Sequence, residues 1–180
     1  MPLPQERIYT IDDIYALPDG TRAELIDGHL YNMAPPSRKH QEIAGELFAV
    51  IREYIRHKNG ACRPYIAPFA VFLNQDDRNY VEPDICVICD PGKLNEKGCV
   101  GAPDWIIEVV SDSSVRMDYN TKLFKYRSAG VREYWIVDPR KDLVLVYCFF
   151  NDNMEEYSLN DDIPVGIYPG FSVRLSALDI

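Results

Sequence analysis

The sequence predicts an α/β fold in which helices flank a mixed central sheet, with an N-terminal hairpin and a C-terminal meander. Two observations carry that prediction. Short runs rich in β-branched and aromatic residues alternate with two longer segments whose apolar residues recur at helical spacing. Two of the strand-like runs, Glu82-Pro83-Asp84-Ile85-Cys86-Val87-Ile88 and Trp105-Ile106-Ile107-Glu108-Val109-Val110, each set a carboxylate among apolar neighbours. Such a group is costly to bury unless a cation or hydrogen bonds compensate it. No repeat, low-complexity tract or linker interrupts the chain, so residues 1–180 are expected to form a single domain.

Each element has a local cause. Thr10 reads as a helix N-cap with Asp13 completing a capping box, and Pro18-Asp19-Gly20 closes that short helix. Asp27-Gly28, between runs 22–26 and 29–33, is a hairpin signal. Pro35-Pro36-Ser37 opens the longest helix, about 37 to 58, whose Ile43, Leu47, Val50, Ile51, Tyr54 and Ile55 recur at helical spacing before Asn59-Gly60 ends it. Strands are expected at 63–67, 69–73, 84–88 and 105–110, with 90–101 a loop. A second helix from about 113 to 128 stops at Gly130. Strands follow at 133–137, 143–149 and 154–159, and 171–175 is a candidate edge strand.

Composition narrows the classes of function. The chain has 180 residues, 47% hydrophobic and 26% charged, which is the balance of a globular protein with a continuous core. No apolar run approaches the roughly 20 residues of a membrane helix, and residues 1–7 lack the features of a signal peptide, so a cytoplasmic location is expected. Five cysteines in no disulfide framework are expected to be buried, reduced thiols. Cys86 and Cys89 form a C-x-x-C, but residues three apart on a strand face opposite ways and cannot chelate one ion. A net charge of −9 argues against nonspecific nucleic-acid binding. Two basic stretches soften that: Arg52, Arg56, Lys58 and Arg63, then Arg116, Lys122, Lys125, Arg127 and Arg132.

Asp84, Glu108, Glu24 and Lys122 together suit metal-assisted phosphodiester hydrolysis. Mg²⁺ or Mn²⁺ prefers oxygen ligands, so Asp84, Glu108 and the Val109 carbonyl form a sufficient core, with Glu24 assisting. Lys122 would stabilise developing charge or orient water. It shares a helix face with Asp118 and Tyr126, each four residues away. It stands about 13 Å along the helix from Ser113 and reaches the acids only if the helix packs back across the sheet. Each residue also has a plainer reading. Asp84 could start a strand, Asp118 and Lys122 could be a solvent-facing ion pair, and Glu24 belongs on the exposed hairpin face. His40, in the first turn of the long helix, could contact substrate or donate to a carboxylate, and its plainer place is the surface.

At these positions the chain resembles the Uma-type, restriction-endonuclease-like family of the PD-(D/E)xK nuclease superfamily, common in bacteria. The likeness runs through Ala23-Glu24-Leu25-Ile26-Asp27-Gly28, Pro36-Ser37 leading to His40, Glu82-Pro83-Asp84, and Gly101-Ala102-Pro103-Asp104-Trp105 into Glu108-Val109-Val110-Ser111. Asp118, Lys122, Tyr126 and Ala129-Gly130-Val131-Arg132-Glu133-Tyr134-Trp135-Ile136-Val137-Asp138 continue it. The resemblance implies a restriction-endonuclease-like fold and a Mg²⁺-dependent DNA nuclease site. Asp84 and Glu108 take the places of the motif's acids, Glu24 that of the upstream acid, and His40 and Tyr126 are candidate substrate contacts. One departure matters: the usual E-x-K lysine would stand at Val110, so Lys122 would supply that charge from the following helix.

The expected function is therefore a metal-dependent endonuclease acting on DNA, with homodimerisation plausible because cutting two strands takes two sites. The alternative is a noncatalytic binding or regulatory module that keeps the fold. Hydrolysis of a small phosphate ester ranks last, because no glycine loop is present to cradle a phosphate.

Overall fold

A computed structural model describes residues 7–178. Its helices are α1 (Ile11–Tyr15), α2 (Arg38–His57) and α3 (Leu123–Ala129). The strands are β1 (Ala23–Ile26), β2 (His29–Asn32), β3 (Arg63–Ile66), β4 (Val71–Phe72), β5 (Ile85–Ile88), β6 (Leu94–Asn95), β7 (Gly98–Val100), β8 (Trp105–Val109), β9 (Glu133–Asp138), β10 (Leu143–Cys148), β11 (Asn153–Tyr157), β12 (Ile163–Pro164) and β13 (Ser172–Val173).

The central sheet has the order β11-β10-β9-β8-β5-β3. Only β8 and β9 within it run parallel, so the sheet is mixed as expected, with β9-β10-β11 as its C-terminal meander. Period-two alternation divides β8 between two cores. Trp105, Ile107 and Val109 meet Ile43, Leu47, Ile51 and Ile55 of α2, while Ile106 and Val110 meet Tyr126 of α3. Burial on both faces explains why β5, β8 and β9 read as nearly continuous apolar runs.

The hairpin β1–β2 turns through Asp27 and Gly28 at φ 50° and 80°, the paired left-handed conformations of a type I′ turn. It is a sheet of its own, tied to the rest where the Leu25 and Tyr80 backbones exchange hydrogen bonds of 2.7 and 2.8 Å.

Five expectations need correction. The expected loop 90–101 contains β6 and β7, and the expected strand 69–73 shrinks to β4, paired parallel to β7 outside the central sheet. Gly98, at φ 145°, makes that pairing possible, because a Cβ there would lie 2.2 Å from the Ala70 carbonyl oxygen. The candidate edge strand near residue 172 pairs with β12 and not with the central sheet. The helix expected from 113 to 128 is not uniform: Met117–Lys122 is a π-helical turn that leads into α3. Finally, Cys62 and Cys89 form a disulfide, whereas Cys86, Cys99 and Cys148 are free and buried as expected. The β3–β5 register places Arg63 opposite Ile88, which brings the cysteines that flank this pair together. No described helix is long and apolar enough to cross a membrane.

Candidate active site

Glu108 points from β8 toward α3, between Ile106 and Val110, and is only 3% exposed. Its Oε1 accepts hydrogen bonds from Lys122 Nζ at 2.8 Å and from the Tyr126 hydroxyl at 2.7 Å. Its Oε2 accepts a longer bond from the Asp84 backbone N–H at 3.3 Å. Asp84 precedes β5, and its Oδ2 accepts from the Val109 backbone N–H at 2.8 Å and faces His40 Nε2 at 3.0 Å. Each acid is thus held by the other's strand.

Lys122 joins this pair to the hairpin. Its ammonium lies 2.9 Å from Glu24 Oε2 and 3.9 Å from Asp118 Oδ1. Glu24 Oε1 in turn accepts from the Glu82 backbone N–H at 3.0 Å. The π turn directs both Asp118 and Lys122 inward, and both are buried. Glu24 is buried as well, so neither the exposed hairpin position nor the solvent-facing ion pair holds. Those readings fail for one reason: β1 lies under residues 80–82 and α3, where a carboxylate finds an ammonium.

The two candidate substrate contacts, Tyr126 and His40, each engage one of the acids. Tyr126 is fully buried, and its hydroxyl donates to Glu108, so it positions that carboxylate. His40 is no surface residue. The Ser37 hydroxyl caps α2 by accepting from the His40 backbone N–H at 3.2 Å, which fixes the first turn and turns the imidazole onto Asp84. Several participants were not foreseen. Tyr80 donates to Glu82 at 2.6 Å, Arg22 pairs with Glu82, and the Tyr134 hydroxyl donates to the Asp118 carbonyl at 3.1 Å. Only the acid in Glu82-Pro83-Asp84 signalled any of these in the sequence.

The electrostatics show surplus negative charge. Burial, more than offsetting the Lys122 ammonium, pushes the Glu108 carboxyl well up, and Asp84, Asp118 and Glu24 push it further. Burial likewise raises Asp118 to about 6 despite Lys122 and Ser114. Lys122 is held protonated: its burial opposes the charge, and Glu108, Glu24 and Asp118 overcome that. For His40, burial favours the neutral ring, but the hydrogen bond and charge of Asp84, the Val109 backbone and Asp118 outweigh it and raise the pKa.

That surplus is the test of whether a divalent cation fits. Four carboxylates face one ammonium and one imidazole, so the cluster must take up protons or a cation. Each carboxylate oxygen has about two acceptor sites, so Glu108 Oε2, with its single long bond, keeps capacity. Among the described residues no group of three or more His, Cys, Asp or Glu is arranged to hold an ion by itself. Two carboxylates and a backbone carbonyl still make a hard-oxygen set that Mg²⁺ accepts when water completes its shell. Asp84, Glu108 and Val109 fit on those terms.

Linked acids on a mixed sheet, met by a lysine from the following helical segment, are the features to set beside known proteins. The chain belongs to the Uma2 family, described as "Putative restriction endonuclease", which it matches over residues 11–176. Its fold is also that of a protein from Anabaena variabilis described as "a putative nuclease belonging to DUF820". The two are 20% identical over 93% of this chain and 95% of that one, with a TM-score of 0.76. No curated protein matches the chain.

Proposed function

We propose that the protein is a divalent-metal-dependent endonuclease that hydrolyses DNA phosphodiester bonds. One observation carries this reading: the Lys122 ammonium bridges Glu108 at 2.8 Å and Glu24 at 2.9 Å, beside Asp84. Four residues from four separate segments have no structural need to bury their charges together. In the proposed site Asp84 and Glu108 hold the ion, with the Val109 carbonyl. Bound Mg²⁺ or Mn²⁺ would polarise a phosphoryl oxygen and acidify water. Lys122 keeps a fixed positive charge where negative charge develops on the phosphate, and Tyr126 and Glu24 hold it and Glu108 in place. His40 orients Asp84 and holds a proton at Nε2.

Purified Asp84→Ala and Glu108→Ala proteins are expected to lose Mg²⁺-dependent plasmid cleavage. Undiminished cleavage by both would overturn the assignment. The saturation of Glu108 Oε1 by Lys122 and Tyr126 favours a second reading, a noncatalytic module on the same fold. Calorimetry separates the two: millimolar Mg²⁺ or Mn²⁺ should bind the wild type and not Asp84→Asn, whereas the module binds neither way.

A further inference from the structure

The basic stretch at the end of α2 takes no part in the site above. Arg52 and Arg56 project from α2 on one face, and with Arg63 of β3 they line an open groove of 520 Å³ floored by Gly60 and Ala61. Three properties distinguish this groove in a chain of net charge −9. Eight other arginines, Arg7, Arg22, Arg38, Arg78, Arg127, Arg132, Arg140 and Arg174, each sit on a carboxylate, and Arg116 stands apart from the groove. Among the described residues, Arg52, Arg56 and Arg63 form no ion pair, although acids outnumber bases. Arg52 and Arg56 are also four apart on a helix, where like charges repel. The helix dipole accounts for Arg56 in the last turn of α2, but not for Arg52 a turn earlier or Arg63 on another element.

The groove also has a direct track to the acids. β3 is an edge strand, and its register runs from Arg63 opposite Ile88 to Ile66 opposite Ile85, one residue from Asp84. Arg63 therefore lies about 13 Å from Asp84 along the sheet. On α2, Arg52 and Arg56 stand about 18 and 24 Å beyond His40, which contacts Asp84.

We propose that Arg52, Arg56 and Arg63 grip the phosphate backbone of the DNA flank, about four to seven base pairs from the scissile bond at 3.4 Å per step. This rests on the nuclease reading for what lies at Asp84. Guanidinium groups take phosphate oxygens bidentately, and three unpaired ones spaced along a groove match a polyanion better than any single anion.

The test is binding of a labelled duplex of roughly 20 base pairs, about two helical turns, measured by anisotropy in EDTA across a salt series. Removing one arginine–phosphate interaction should lower the slope of log affinity against log salt by about 0.9. The triple variant Arg52→Gln/Arg56→Gln/Arg63→Gln should therefore lose a slope of about 2 to 3, with affinity down on the order of tenfold or more. Arg174→Gln should match the wild type. Arg52→Gln alone, a change on an exposed helix face, should lose about one unit of slope and covers the case in which the triple variant misfolds. An unchanged slope in these variants overturns the proposal, as does a groove-dependent affinity for polyglutamate without any for DNA. Because EDTA removes cleavage, the two readings fail separately. Groove-dependent binding without plasmid cutting sinks only the nuclease, and cutting without groove dependence sinks only the groove.

Discussion

At the scale of single residues, Lys122 is the hinge of the site's electrostatics. Replacing it with methionine keeps volume but strands Glu108 and Glu24 as buried carboxylates. Removing one partner of a buried pair costs about 3–5 kcal/mol, so Lys122→Met should lower the urea-unfolding free energy by that order. Tyr126→Phe deletes one hydrogen bond to Glu108 and should cost about 1–3 kcal/mol in the same assay. The pH dependence follows from the carboxylates. Asp118 holds its proton up to about 6 in the fold, above its ordinary 3.8. Its contribution to stability is therefore full below the lower value and is lost as pH rises through the higher one. Deprotonation also adds the negative charge a cation needs, so Mg²⁺ affinity by calorimetry should rise between about pH 5.5 and 7.5, and rise less in Asp118→Asn. Asp84 and Glu108 were legible in the sequence because a charge within an apolar run has few structural excuses. Glu24 was named with them, but its burial was hidden, since nothing local says which face of a short hairpin will be covered by a helix nearly a hundred residues later.

At the scale of elements, the π turn determines whether Lys122 reaches the acids. Spacing of four correctly put Asp118, Lys122 and Tyr126 on one side, but propensity carries no signal for one wide turn inside an otherwise ordinary helix. Deleting the exposed Asn120 should restore α-helical winding and rotate Lys122 by about 100° relative to the preceding turn. Metal binding should be lost and the melting temperature should fall. A deletion protein that binds Mg²⁺ normally would show that the wide turn is dispensable. The Cys62–Cys89 link was likewise hidden, because its partners are 27 residues apart and only the β3–β5 register makes them neighbours. By loop-closure entropy, Cys62→Ser/Cys89→Ser should lose about 3–4 kcal/mol, measured against the oxidised wild type.

At the scale of the whole molecule, the mixed sheet, hairpin and meander followed from periodicity and turn chemistry, which are local. The small sheet of β4, β6 and β7 did not, because it depends on one backbone approaching another at Gly98. The central sheet turns Glu108 to the α3 face while α2 fills the other with apolar packing. A ligand that binds only the folded site stabilises the whole chain by mass action. Millimolar Mg²⁺ or Mn²⁺ should therefore raise the melting temperature of the wild type and leave Asp84→Asn unmoved. An equal rise in both would place the ion elsewhere.

The hairpin holds a carboxylate near the start of the chain that Lys122 must meet from far downstream, and Lys125 repeats the crossing to Asp27. During synthesis, then, the early strands emerge long before their cationic partners exist. A nascent chain halted anywhere ahead of that helix carries unneutralised acids and an unclosed site. The cluster cannot assemble until translation has delivered the lysines that complete it.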